Sequence, residues 1–185
     1  MRKIEKPAPG EFPPYANMYL KLVPDDGLLF KHFKHGFNAM RKLVLSLPAE
    51  QLLHRYAKNK WTIKEVLVHI IDDERIYAYR ALCFARNEKT WLPGFEQDEY
   101  VTFSNANNRT LENILSEYKA VRNSTITLYE GLDDTALLRE GIANNNKVTV
   151  RALGYHIVGH ELHHMNIIKE KYLNAGQETK NKVPS

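Results

Sequence analysis

The chain has 185 residues, of which 43% are hydrophobic, so it is long enough to bury one core and a single domain is expected. Its 26 basic and 22 acidic residues are intermingled, and the net charge of +4 is typical of a solvated surface rather than of a nucleic-acid-binding stripe. No segment approaches the roughly 18 consecutive apolar residues of a membrane helix, and the first residues lack the apolar stretch of a signal peptide. The single cysteine has no internal disulfide partner, so the reducing cytoplasm is the expected location. From the charge pattern and the lack of a long apolar segment, we expect that the protein binds neither nucleic acid nor membranes.

Prolines are concentrated near the start of the chain, where residues 5–24 contain five of the eight. Because proline lacks a backbone N–H and resists continuous helix, we expect residues 1–24 to form an ordered or semi-ordered arm. Residues 176–185 are polar and predict a C-terminal tail. The amphipathic patterns lie between these segments, so residues 25–175 are the predicted domain.

Four long amphipathic patterns follow the arm, with apolar side chains recurring at steps of three and four residues. The second pattern opens with Thr62 and Glu65, which have the spacing of a capping box. No convincing strand pattern is present, so the predicted fold is all-α, a four-helix bundle with a proline-rich N-terminal arm. The predicted helices run from Asp25 or Asp26 to about Leu47, from Thr62 to about Asn87, from Thr110 to Glu130 and from Thr149 to about Leu173.

Two histidines interrupt the apolar stripe of the last predicted helix. After Leu153 and Ile157, the next inward positions are His160 and His164. Side chains four residues apart lie one turn above each other, so these two imidazoles can bind one ion from the same side. A third ligand has to come from another helix, and His69 lies on or beside the inward stripe of the second helix. Three neutral imidazoles leave coordination positions open, as in catalytic metal sites, whereas the competing interpretation is three hydrogen-bonded core histidines.

Three neighbouring residues are candidates for the surroundings of the ion. His156 lies one turn before His160 and is predicted to support a ligand or line the pocket. Asp72, three residues after His69, and Glu161, directly after His160, are candidates to orient a ligand or a water molecule. For both carboxylates, a surface ion pair is the competing interpretation.

The segment from Trp91 to Phe95 breaks the helical pattern and is expected to loop across one end of the domain. Aromatic residues are unusual in a merely solvated connection, so Trp91 and Phe95 are candidate pocket walls. A second break, at residues 144–146, consists of three asparagines and predicts a turn.

Three segments carry a resemblance to a known family: WTIKEVLVHIIDDER at 61–75, LPGF at 92–95 and GHELHH at 159–164. Through them the chain resembles the DinB-like family over nearly its whole length. The resemblance implies a four-helix bundle with a divalent metal ion, most often zinc or nickel. It also implies that the ligands are His69, His160 and His164.

The resemblance implies metal chemistry on a small-molecule substrate and no DNA binding. Members of the family either hydrolyse a substrate with metal-bound water or use a low-molecular-weight thiol, which they transfer to an electrophile. The sequence leaves these two reactions open. A non-enzymatic bundle that uses the metal for stability or sensing is the alternative function. A homodimer is a further expectation, since helical bundles of this size often pair.

Overall fold

The computed structural model describes residues 2–173, and four long helices form its core. Helices α2 and α4 each pack against both α6 and α8, which confirms the predicted four-helix bundle. None of the helices within residues 2–173 has the length and apolarity needed to cross a bilayer. The tail predicted at 176–185 lies outside the described residues. The elements are α1 (Asn17–Leu20), α2 (Leu29–Leu45), α3 (Ala49–Leu52), α4 (Ile63–Ala85), α5 (Gln97–Phe103), α6 (Leu111–Glu130), α7 (Asp134–Leu138), β1 (Glu140–Ala143), β2 (Asn146–Thr149) and α8 (Val150–Ile167), with 3₁₀ turns at Pro14–Ala16 and Ala106–Asn108 and a π-helical extension of α8 at Ile168–Leu173.

The start of α4 follows its predicted cap, whereas the start of α2 does not. The predicted capping box is present at α4, where the Thr62 hydroxyl accepts from the Glu65 N–H and the Glu65 carboxylate accepts from the Thr62 N–H. Helix α2 begins later than predicted, at Leu29. Gly27 has a φ of 70°, which is left-handed backbone, and Asp26 Oδ1 accepts from the Leu28 N–H instead of capping an earlier helix start.

The expectation that the chain has no strand was wrong, because residues 140–149 form a β-hairpin. Its two turn residues, Asn144 and Asn145, have φ values of 49° and 60°, as a type I′ turn requires. Asparagine tolerates this conformation better than most residues do. Gly141 allows the hairpin to lie against the end of α4, since a Cβ at this position would come within 2.2 Å of the Phe84 ring.

The loop that contains Trp91 and Phe95 is fixed to this hairpin. The Leu92 N–H donates to the Ile142 carbonyl at 3.0 Å, and the Asn144 N–H donates to the Leu92 carbonyl at 2.9 Å. The loop then leads into α5, a short helix that the sequence did not predict and that packs against α4.

The proline-rich arm is ordered along α8. The Ile4 N–H donates to the Gly27 carbonyl, and the buried Tyr155 hydroxyl donates to the Ile4 carbonyl. Helix α1 packs directly on α8, where a Cβ at Gly159 would lie 2.4 Å from the Tyr19 carbonyl oxygen. Glycine at position 159 therefore brings the arm against the turn of α8 that carries the site.

A buried arginine joins the four bundle helices. From α6, Arg122 donates to both carboxylate oxygens of Glu74 on α4, with Nε–Oε1 and Nη2–Oε2 distances of 2.9 Å. Its Nη1 donates to the Phe33 carbonyl of α2 at 2.6 Å and to Glu161 Oε2 of α8 at 3.1 Å. The Tyr118 hydroxyl donates to the other Glu161 oxygen. One guanidinium thus contacts every helix of the bundle, and we call these side chains the Arg122 cluster.

The electrostatics of the Arg122 cluster are set by burial and by mutual neutralisation. Burial opposes the charge of Arg122, but the adjacent Glu161 and Glu74 raise its pKa well above the ordinary value. Burial raises the pKa of Glu161, and Arg122 acts against that rise. Helix α2 can approach Glu161 closely because residue 36 is a glycine. A Cβ at this position would lie 2.0 Å from Glu161 Oε2.

Replacing Arg122 by methionine should lower the free energy of unfolding by about 3–5 kcal/mol, because two buried carboxylates lose their cation. Urea denaturation followed by circular dichroism measures this loss. The matched control is Arg75→Met, which removes a half-exposed guanidinium paired with Glu117 and should cost at most about 1 kcal/mol. Equal losses in the two variants would contradict a special contribution of the Arg122 cluster.

Candidate metal centre

Three buried imidazoles meet between α4 and α8. The Nε2 atom of His160 lies 3.1 Å from the Nε2 of His69 and 3.1 Å from the Nε2 of His164. One ring nitrogen from each of the three residues lies within 4.8 Å of the others. Donors bound tetrahedrally to one zinc ion at about 2.0–2.1 Å would be roughly 3.3 Å apart, so this donor set fits a single small divalent ion.

The environment of the three histidines keeps them uncharged at neutral pH. Burial lowers the pKa of His69, although Asp73 and Asp98 act against the shift. Burial, together with the repulsion of protonated neighbours, lowers the pKa of His164 to about 2 and that of His160 well below its ordinary value. Neutral imidazoles offer lone pairs, which is the state that a metal ion requires.

The carboxylate beside the histidines belongs to Asp73. Its Oδ2 lies 3.3 Å from His160 Nδ1, on the side of the ring opposite the converging Nε2. A carboxylate in this position favours the tautomer with a proton on Nδ1 and leaves Nε2 free to bind an ion. The sequence analysis did not single out Asp73 as a site residue, although it is four residues after His69 and therefore on the same face of α4.

Asp72 is not placed beside the histidines. Its side chain is about a quarter exposed and lies 3.7 Å from Arg75. One residue along a helix is a rotation of about 100°, so Asp72 and Asp73 cannot both face the same point. The competing interpretation, an ion pair near the surface, describes Asp72 correctly.

Glu161 is also directed away from the histidines. It is fully buried, and its carboxylate belongs to the Arg122 cluster rather than to the surroundings of His160. Glu161 therefore does not orient a ligand, as the sequence suggested, but contacts Arg122 in the bundle core. A surface ion pair is excluded as well, because the ion pair is internal.

His156 lies beside the triad, as its position one turn before His160 predicts. Its ring stacks on Tyr77 with a centroid separation of 3.8 Å, and its Nε2 lies 3.6 Å from Asp73 Oδ2. Neither this nitrogen nor that oxygen has a hydrogen-bond partner among the described residues, so the 3.3 Å approach of Asp73 Oδ2 to His160 Nδ1 is an electrostatic contact without hydrogen-bond geometry. Both side chains line a cavity, so they can contact a molecule bound there.

Two cavities touch the triad, one at His164 and the other at His160. One, of about 330 Å³, is lined by three aromatic side chains, Tyr56, Trp61 and Tyr172, and by His164; we call it the aromatic cavity. The other, of about 280 Å³, is lined by three tyrosines and by His160; we call it the tyrosine cavity. Its tyrosines are Tyr15, Tyr19 and Tyr77.

The two predicted wall residues differ in position. Phe95 lines the tyrosine cavity. Trp91 does not line either cavity; its side chain is half-exposed, and its indole N–H donates to Asn145 Oδ1 at the hairpin turn. Gln97, which the sequence did not single out, lines both cavities.

Two aromatic residues of the site were missed or underestimated. Trp61 was not among the predicted site residues, but the centroid of its ring lies 4.8 Å from that of the His69 ring, and its side chain lines the aromatic cavity. Tyr19 comes from the arm, and its ring contacts those of His156 and His160 edge-on at 5.0 and 5.4 Å. No local pattern could identify Tyr19, because its place depends on how the arm packs on α8.

Comparisons with known proteins agree with this fold. The DinB superfamily matches residues 32–168. Among solved structures, the chain is similar to YfiT from Bacillus subtilis, described as a probable metal-dependent hydrolase with an unusual four-helix bundle topology. The two align with a TM-score of 0.72 and 15% identity over 93% of this chain and 94% of that chain, which shows a shared fold. No curated protein matches the chain. Because the superfamily match covers well over half of its length, the chain belongs to the DinB superfamily.

Proposed function

We propose that the protein is a metal-dependent enzyme that holds one divalent ion, zinc or nickel, through His69, His160 and His164. The observation that carries the proposal is the convergence of three buried, uncharged imidazoles on one point. Nitrogen donors suit both metals. The description of YfiT as a probable metal-dependent hydrolase supports the same class of chemistry.

Three protein ligands leave coordination positions open for a substrate group or water. An ion held by the three histidines would supply Lewis-acid chemistry, which would lower the pKa of a water or thiol group beside it. The residues of the chain supply the rest. The carboxylate of Asp73 lies against the Nδ1 side of His160, and each of two cavities, from which solvent or substrate can approach, touches one histidine of the triad.

Two reactions are compatible with this site. Hydrolysis of a small molecule needs one substrate and water, and the similarity to YfiT supports it. Transfer of a low-molecular-weight thiol to an electrophile needs two reactants, and the presence of two cavities beside the triad supports that reaction. The same cavities argue against a metal site used for stability alone, since such sites are closed by protein ligands.

Metal content tests the ligand set. Protein purified without chelators and loaded with zinc should hold about one ion per chain by mass spectrometry, because three imidazoles suffice to bind it. His69→Ala and His160→Ala should lose the ion while circular dichroism shows an intact helical fold. His54→Ala, which changes an exposed histidine outside the site, is the matched control and should retain it. Wild-type protein that cannot be loaded would mean that the triad is a set of core histidines.

A second test separates Asp73 from Asp72. Asp73→Asn should lower zinc affinity by about 10- to 100-fold, the usual effect of removing a carboxylate that supports a ligand histidine. Asp72→Asn changes the neighbouring carboxylate, which faces Arg75, and should leave the affinity unchanged. Competition with a chromophoric chelator measures both values. Equal effects of the two substitutions would contradict a positioning role for Asp73.

A further inference from the structure

The aromatic cavity has walls that are fixed relative to one another. The Tyr56 and Tyr172 rings meet edge-to-face, with centroids 4.8 Å apart and planes at 80°. The Tyr172 hydroxyl donates to the Trp61 carbonyl at 2.6 Å, which ties the end of the chain's last described helix to the start of α4. Three aromatic side chains, two from the linker before α4 and one from the extension of α8, thus line one space beside His164.

The side of the cavity formed by α5 is acidic. Asp98 lines the cavity, and Glu96 and Glu99 flank it on the same exposed segment. Lys60 is the cationic side chain among the lining residues; it is exposed, so its ammonium group can remain in water.

Aromatic faces together with a carboxylate are a chemical environment that favours an organic cation. A cation over an aromatic ring is attracted by the ring quadrupole, and recognition of alkylammonium groups by several aromatic side chains is a recurrent use of this attraction. A cavity of about 330 Å³ is at the lower end of the size range of small-molecule sites.

We propose that the aromatic cavity binds an alkylated ammonium group of the substrate, which places the reacting end of that molecule at the histidine triad. This inference rests on the proposed function, because it takes the bound molecule to be the substrate of the metal-dependent enzyme. The cationic group lies against Tyr56, Trp61 and Tyr172, and Asp98 supplies the opposite charge.

Choline and 3,3-dimethyl-1-butanol are probes that separate charge from shape, because the second replaces the quaternary nitrogen of the first by carbon. The chain has two tryptophans, so in a Trp91→Phe background the fluorescence reports on Trp61 alone. Choline should change this fluorescence saturably and bind about tenfold more tightly than the neutral probe, which is the upper range of a cation–π contribution. The anion 3,3-dimethylbutanoate should bind more weakly than either.

Variants identify the source of the preference. Asp98→Asn and Tyr56→Leu should each reduce choline affinity by about 3- to 10-fold, with a smaller change for the neutral probe. Glu99→Gln, which removes a carboxylate of the same segment that does not line the cavity, is the matched control and should have little effect. Lys60→Gln should leave choline binding equal or tighter.

The titrations are made on both the metal-free and the zinc-loaded protein, so that the two proposals can fail separately. A preference for choline in protein that binds no zinc would overturn the metal proposal and support the cavity assignment. If the neutral probe or the anion binds as tightly as choline or more tightly, the cation assignment is overturned, even where zinc binds normally. Absence of any choline response up to about 10 mM would overturn it as well.

Discussion

The buried guanidinium of Arg122 sets the rotation of the helices around the site. Two pairs of consecutive residues show this: Asp73 and Glu74 on α4, and His160 and Glu161 on α8. The second residue of each pair, a glutamate, contacts Arg122. The first residue is rotated by about 100° around its helix, so Asp73 lies beside the triad and His160 is part of it. The ion pairs of the core therefore aim the polar groups of the site. A buried cation with two carboxylates is costly to desolvate, so its contribution is better described as orientation than as net stability.

The ligand histidines and the cavity walls come from different kinds of structure. His69, His160 and His164 project from long helices, which hold side chains in fixed positions. The walls come mostly from the arm, the linker before α4 and the segment from Phe95 to Asp98. Irregular segments tolerate substitution and insertion better than helices do. This division allows one rigid ion-binding centre to be combined with cavities of different shape.

The helices and the three histidines could be predicted because their signals are local. Apolar periodicity, a capping box and histidines four residues apart depend on the geometry of a single helix. The same rule could have selected Asp73 over Asp72, since Asp73 is four residues after His69. The direction of Glu161 could not be predicted, because it depends on Arg122, a residue 39 positions away on another helix. The hairpin depends on positive φ at Asn144 and Asn145, a property that asparagine permits but does not require.

The arm contributes a wall of the tyrosine cavity, yet the superfamily match begins at residue 32. Tyr15 and Tyr19 thus lie outside the residues that match the superfamily. Two members could share the helices, the histidines and the ion and still differ in which molecules they admit, because their leading segments differ.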